Sequence, residues 1–420
     1  MTPDPMPGDR FRTRGQPAAL AAVDSMLRTG VPHALLLAGP SGVGKRTLAD
    51  DIAAALLCTA PDVGERPDRT CRACRALAHG NHPDLHVLAP SGAGQVIPIG
   101  GREDRGVRDL VRELALMPVE GGLRVAIIGD ADRMTDDAQS AFLKTLEEPP
   151  AGTVLILTAA DEERLLPTIR SRVIRIRVGP VAKAAVEEIL VHAGLADAAA
   201  AARLSRLAGG RPGDAVALAR APEAVTIRAE IARTLLDLTR ASRADRLRIG
   251  RDLLARAGAL VAAVRGGAAA GPEDGTTTRN VGGRGRKAAG GSMSSAGAAG
   301  ADAARRPAGG ASDAGEEGSS AGGPAARIPA AERRSAALAL IGIWRDVARD
   351  LALVAMGDAA AVRGIDLLDD LEAASRTLPG TFAPDQLRRL DVAGERLEGN
   401  VSPELVIDAL ALGWAARVAA

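Results

Sequence analysis

At 420 residues the chain is too long for one compact core, which points to two or three domains. Its 53 Lys and Arg nearly cancel its 52 Asp and Glu, so a polyanion could be met only by a local patch and not by the overall field. The opening MTPDPMPGDRFRTRGQ lacks the apolar core of a secretory signal, and no apolar run approaches the ~18 residues of a spanning helix; a cytoplasmic protein without membrane contact is expected, its three cysteines reduced rather than bridged.

Through the first half, short aliphatic runs alternate with helical stretches. HALLLAG (33–39), DLHVLAP (84–90), LRVAIIGD (123–130), TVLILTAA (153–160) and RVIRIRV (172–178) read as buried strands, with helices at 45–57, 104–116 and 135–147. Strands separated by helices predict a parallel α/β sheet covered on both faces, assigned to residues 1–178. From 179 the strands stop. VAKAAVEEILVHAGL, DAAAAARLSRLAGG and PGDAVALARAP predict a small helical unit over 179–222, its second helix ended by Gly209-Gly210. Helical periodicity resumes over 223–264 and again over 330–420, where Leu340, Trp344, Val347, Leu351 and Val354 share one stripe. Trp344 and Trp414 are expected in a core. Between these parts, residues 265–329 are Gly, Ala and Ser with scattered charge; such a segment buries too little surface to offset its chain entropy and is expected to be disordered.

GPSGVGKRT, from Gly39 to Thr47, has the form of a phosphate-binding loop with one residue out of place. Gly39, Gly42 and Gly44 would let backbone N–H groups turn toward phosphates, and Lys45 would reach the β- and γ-oxygens. The next position, which should carry a Ser or Thr hydroxyl for Mg²⁺, is Arg46, a cation with no acceptor. Thr47 follows about 100° further around the helix. Bound nucleotide and an empty anion-binding turn kept for packing are both open readings. The acidic side is also reduced: VAIIGDADRM offers Asp130 at the strand end but follows it with Ala131, where adjacent Asp and Glu would hold Mg²⁺ and activate water. Ala159 and Ala160 occupy the tip of the neighbouring strand. ATP hydrolysis by this chain alone is not expected. Arg170 and Arg172 flank Ser171 just before the last strand. An arginine at a domain edge can enter a neighbour's nucleotide site, although an exposed Arg paired with a carboxylate is the plainer reading.

FRTRGQPAALAAVDSMLRTGVPHALLLAGPSGVGKRTLA, GNHPDLHVL, MTDDAQSAFLKTLEEPPAGTVLILTA and LLPTIRSR occur in the order found in bacterial AAA+ clamp-loader subunits, and the chain resembles the delta-prime family among them. The likeness runs from Phe11 to Leu218 and returns more weakly in NVSPELVIDALAL; FLKTLEEPP, Phe142 to Pro150, is its most specific mark. The resemblance implies an AAA+ P-loop domain, a helical lid (179–222) and an all-α carboxy-terminal collar (223–264 and 330–420) interrupted by the disordered linker. It further implies a stator subunit of a hetero-pentameric loader, with motor subunits, a delta subunit, the sliding clamp and primer-template DNA as partners, and ATP or ADP held at most without hydrolysis. The family's Ser-Arg-Cys finger matches Ser171 and Arg172, with Val173 in place of Cys, so Arg172 inherits the role of a finger acting in trans. The lid arginine of motor subunits falls on Gly213, with Arg211 close by. Two other readings are an ATP-hydrolysing motor of the tau/gamma kind and an unrelated AAA+ nucleotide-binding adaptor.

All three cysteines, Cys58, Cys71 and Cys74, lie in one short segment, and Cys71-x-x-Cys74 has zinc-knuckle spacing. Related subunits carry four cysteines, and Asp68 stands where the second would fall; His79 and His82 are the other candidates for a fourth ligand. A structural Zn²⁺ is expected on an insertion over 58–82, the alternative being a site that has lost its metal. Arg105, Arg108 and Arg112 share a face that could meet DNA phosphates, but the acids around them make a solvated, ion-paired surface the expected outcome.

Overall fold

Five parallel strands and the helices that cover them form the amino-terminal half of the computed structural model, which describes residues 10–92, 95–101, 104–120, 122–269, 329–399 and 401–414. In chain order the elements are α1 (Pro17–Thr29), β1 (Ala34–Ala38), α2 (Lys45–Leu57), α3 (Arg72–Ala78), β2 (Leu85–Leu88), α4 (Val107–Leu114), β3 (Arg124–Ile128), α5 (Asp136–Glu147), β4 (Thr153–Ala159), α6 (Pro167–Arg170) and β5 (Ile174–Arg177). The sheet order is β2-β3-β4-β1-β5. β4 is therefore inserted between the P-loop strand β1 and the acidic strand β3, with Ala34 opposite Leu155 and Val125 opposite Val154. All five expected strands form, but only β1, β3 and β4 are buried throughout; β2 and β5 are the sheet's edges, and β5 is exposed except at Ile176.

The two faces of β1 show why the runs are continuous rather than alternating. Leu36 and Ala38 enter one core with Leu110, Phe142 and Leu146 of α4 and α5; Leu35 and Leu37 enter the other with Leu20, Leu48 and Ile52 of α1 and α2. A strand buried on both sides has no solvent face to mark with polar residues.

The chain continues as three short helices, α7 (Lys183–His192), α8 (Ala198–Ala208) and α9 (Pro212–Arg220), around their own core of Val186, Leu190, Ala201 and Leu204. Asp197 caps α8 through the Ala200 N–H, and Gly209 ends it in the left-handed conformation. Next come α10 (Pro222–Leu238), α11 (Arg243–Ala269), α12 (Ala330–Ala355), α13 (Leu368–Ser375), α14 (Phe382–Glu398) and α15 (Pro403–Gly413), which share the largest core. α11 runs on to Ala269, past the expected helix end at 264, so Arg265 to Ala269 are helical. The rest of the expected disordered linker, 270–328, lies outside the described residues.

Both tryptophans are interior, as expected: Trp344 lies on the apolar stripe of α12, and Trp414 follows α15. Trp344 is fully buried and meets Trp414 edge to face at 5.4 Å. The short helices are tied to this bundle by Arg203 with Asp366 (2.7 Å), while Asp346 of α12 pairs with both Arg228 and Arg363, and the Arg363 guanidinium lies over Gly209.

Candidate functional site: a P-loop, an edge arginine and a Cys/Asp cluster

The loop between β1 and α2 has the expected path. A side chain at Gly39 would run into the Val178 carbonyl, and Gly42, at φ +80°, occupies the left-handed region that favours glycine. Gly44 is the N-cap of α2, also left-handed. The polar groups are arranged differently from an open phosphate cradle. Lys45 is buried, and its ammonium donates to the carbonyls of Gly39 (2.7 Å) and Pro40 (2.8 Å). Burial pulls its pKa down, against the fields of Asp130 and Asp132. Arg46 points along the helix to Asp50 at 2.9 Å, and Thr47 is half-buried on the second residue past Lys45. Asp130 takes a left-handed backbone (φ 46°) at the end of β3, its N–H donating to the Thr158 hydroxyl at 2.9 Å.

The helical unit closes over the loop. The Gly213 N–H donates to the Gly42 carbonyl at 2.8 Å, and a methyl group on Gly42 would meet Asp214 Oδ1 at 2.6 Å. Arg211 is held by Asp214 at 3.0 Å and by the Ala208 carbonyl at 3.1 Å, within its own unit. From the other side Gln16 donates to the Gly179 carbonyl (2.6 Å) and, more weakly, to that of Val43 (3.4 Å). None of these closing contacts was read from sequence, because each joins segments far apart in the chain.

Arg172 is exposed at the end of α6, beside the edge strand β5. Its guanidinium reaches Glu147 of the LEEPP run at 2.7 Å, the Thr168 carbonyl at 2.9 Å and the Ser171 hydroxyl at 3.2 Å. Arg170 pairs with Glu163 at 2.6 Å. Of the three arginines considered for DNA, Arg105 pairs with Glu113 (2.7 Å) and Arg112 with Asp109 (2.9 Å), as a solvated ion-paired face would.

Cys58, Asp68, Cys71 and Cys74 come together, their candidate ligand atoms all within 4.8 Å of one another. The Cys58 and Cys71 sulfurs are 3.9 Å apart, close to the ~3.8 Å edge of a tetrahedron with ~2.3 Å zinc–sulfur bonds. Asp68 Oδ1 accepts the N–H groups of Thr70 and Cys71, both at 3.0 Å, which orients the carboxylate; the Cys71 N–H leads in holding its pKa far below the ordinary range. Cys74 is buried, and burial pushes its thiol up. Hydrogen bonds from Thr59 and the Cys74 N–H hold Cys71 down against burial. Three sulfurs and one carboxylate at these separations fit a closed tetrahedral zinc site, and the chemistry of such a site is structural. His82 belongs elsewhere: it takes the Asp84 N–H at 3.2 Å and faces Glu120 at 3.6 Å.

A five-stranded parallel sheet in this order, with a P-loop after the strand beside the insertion and a helical unit closing over it, defines an AAA+-type P-loop domain. Residues 15–182 match the family described as DNA polymerase III, delta subunit. The DNA polymerase III subunit delta' of Pseudomonas aeruginosa is 42% identical over 182 residues, 43% of this chain and 53% of that one. The gamma/tau subunit of Mycobacterium bovis is 33% identical over 159 residues, 38% of this chain and 26% of that protein. A RuvB mutant from Thermotoga maritima shares 18% identity over 49% of this chain and 60% of its own, at a TM-score of 0.33. Over this amino-terminal stretch the chain is similar to delta-prime and gamma/tau subunits of DNA polymerase III. It spans about half the length of the delta-prime relative.

Proposed function

We propose that the chain is a delta-prime-like stator of a DNA polymerase III clamp loader, which does not turn over ATP and supplies Arg172 to the nucleotide site of a neighbouring motor subunit. The observation that carries this reading is the state of the P-loop: Lys45 is bound to its own loop carbonyls, Arg46 stands at the Mg²⁺ position and pairs with Asp50, and Gly213 is hydrogen-bonded to Gly42. Nucleotide, ATP or ADP, is held at most without hydrolysis, since Asp130 is followed by Ala131. Arg172, by contrast, is displayed. Its partner Glu147 is itself half exposed, and a solvated pair of this kind is worth under about 1 kcal/mol, little enough for a phosphate to displace. The stator would work within a hetero-pentamer of motor subunits and a delta subunit, loading the sliding clamp on primer-template DNA. Its Cys58/Asp68/Cys71/Cys74 site would hold a structural Zn²⁺.

Steady-state ATP turnover tests the reading, with the protein alone and then reconstituted with motor subunits, clamp and primed DNA. No turnover is expected from the protein alone. In the mixture Arg172→Ala should lower the rate at least several-fold, since a finger contributes about 10³–10⁵ at the site it serves. Turnover by the isolated wild type, abolished by Lys45→Ala, would replace the stator with a motor subunit.

A further inference from the structure

We propose that Asp51 and Arg69 are positioning residues for the metal site, through which metal binding is coupled to the order of the amino-terminal strap that flanks the P-loop. The inference rests on the zinc reading above and deepens it. Asp51 lies in α2, the helix that begins at Lys45, and is fully buried. A carboxylate in such a place is costly unless several donors surround it. Here it accepts the Arg12 N–H (3.2 Å), the Thr13 N–H (2.8 Å) and the Thr13 hydroxyl (2.7 Å), and it pairs with Arg69. One side chain thus joins the P-loop helix, the strap at 12–13 and the ligand loop.

Arg69 follows Asp68 directly, two residues before Cys71, with φ at +59°, a left-handed backbone that a non-glycine residue adopts only when its surroundings hold it there. The holding groups are Asp51 and the Arg10 carbonyl, the latter accepting from Arg69 Nε at 3.3 Å. The residues on either side of this turn are the ones that matter for the metal: Asp68 accepts the N–H groups of Thr70 and Cys71, so the turn at Arg69 determines how far apart the Asp68 and Cys71 ligand atoms stand. A second stitch joins the same loop to the strap, for the Arg10 guanidinium donates to the carbonyls of Gly64 and Val63. The strap then continues to Gln16, which bonds the Gly179 and Val43 carbonyls beside the P-loop. Because coupling free energies are reciprocal, whatever order the strap lends the metal site, the metal returns to the strap.

The test uses the full chain and zinc itself. Affinity is measured by competition with a chromogenic chelator for the wild type, Arg69→Ala, Asp51→Asn and Cys71→Ser, and amide exchange over residues 10–16 is followed with and without zinc. Wild type should bind one zinc and Cys71→Ser should bind far less. Arg69→Ala should bind about 10–100-fold more weakly, the usual loss when a partner that orients a ligand is removed. The Arg69 side chain is a third exposed, and Asp51 keeps its three donors from Arg12 and Thr13 when it is truncated, so this variant carries the test even where Asp51→Asn fails to fold; Arg69→Lys, which keeps a charge beside Asp51, is measured with it. Zinc removal should speed exchange at Arg12 and Thr13 in the wild type and leave it unchanged in Arg69→Ala. Wild-type affinity in Arg69→Ala, or a strap indifferent to zinc in the wild type, would overturn the coupling while leaving the zinc site standing. A folded wild type that binds no zinc would remove both.

Discussion

Trp414 closes the helical bundle, and its replacement offers a measurable test of how that bundle is held. The residue follows α15, is 1% exposed, and donates its indole N–H to the Leu235 carbonyl of α10 at 2.8 Å. Its ring meets Trp344 at 5.4 Å and Phe382 at 5.1 Å, edge to face at 67° and 68°, so it joins α10, α12 and α14 at one point. Covering an indole removes on the order of 200 Å² from water. At ~25 cal/mol/Å² that is ~5 kcal/mol, an upper bound for a compact unfolded state. Trp414→Ala should therefore cost about 3–5 kcal/mol. Trp414→Phe keeps a ring against Trp344 but forfeits the hydrogen bond, ~1 kcal/mol. It also opens a void of roughly 35 Å³, another ~0.8 kcal/mol at ~24 cal/mol/Å³. A total near 2 kcal/mol is expected. Urea unfolding would be followed by far-ultraviolet dichroism and, since the chain has only 2 tryptophans, by the emission of Trp344 alone in the variants. A loss below about 1 kcal/mol for Trp414→Ala would refute the argument that this ring is a central contact.

Two further outcomes are expected. Glu113 accepts from His86 at 3.1 Å and pairs with Arg105, and these partners, His86 first, hold its carboxyl below its ordinary value of 4.5. A lowered acid contributes stability that is present above pH 4.5 and lost as the pH falls through the folded value. Glu113→Gln should therefore cost under about 1 kcal/mol of stability at neutral pH for a partly exposed group, read as a lowered melting temperature. The gap to wild type should close below pH 4.5, and one that widens there would contradict the assignment. Arg46→Ser restores the expected hydroxyl and removes the pair with Asp50, at a cost of about 0.3–0.5 kcal/mol. It should not confer turnover, since Ala131 still follows Asp130; phosphate release above background from this variant would show that the acidic side is intact after all.

Much of the fold was legible because it rests on local patterning. β1 and β4 are buried along their whole length and read as unbroken aliphatic runs, α2 starts at the residue after the last loop glycine, and Asp197 and Gly209 mark the ends of α8. The cysteine cluster was also visible, since Cys71 and Cys74 are three residues apart on one helical turn and Asp68 is close to them in the chain. Asp51 left a signal that went unread: a carboxylate on the apolar side of LADDIAAALL, where Leu48, Ile52 and Ala55 are all buried.

Sequence alone was sufficient for the strands, their helices, the P-loop with its misplaced Arg46, the missing acid after Asp130 and the likeness of residues 15–182 to delta-prime subunits, because each is written in neighbouring residues. The partners of Lys45, Arg172 and Asp51 were decided by tertiary structure. Gly213 reaches Gly42 across 171 positions, and Arg172 finds Glu147 and Asp51 finds Arg69 only once the chain has closed. Arginine, lysine and aspartate are compatible with many partners; which one they take depends on distances that the packed sheet and helices impose.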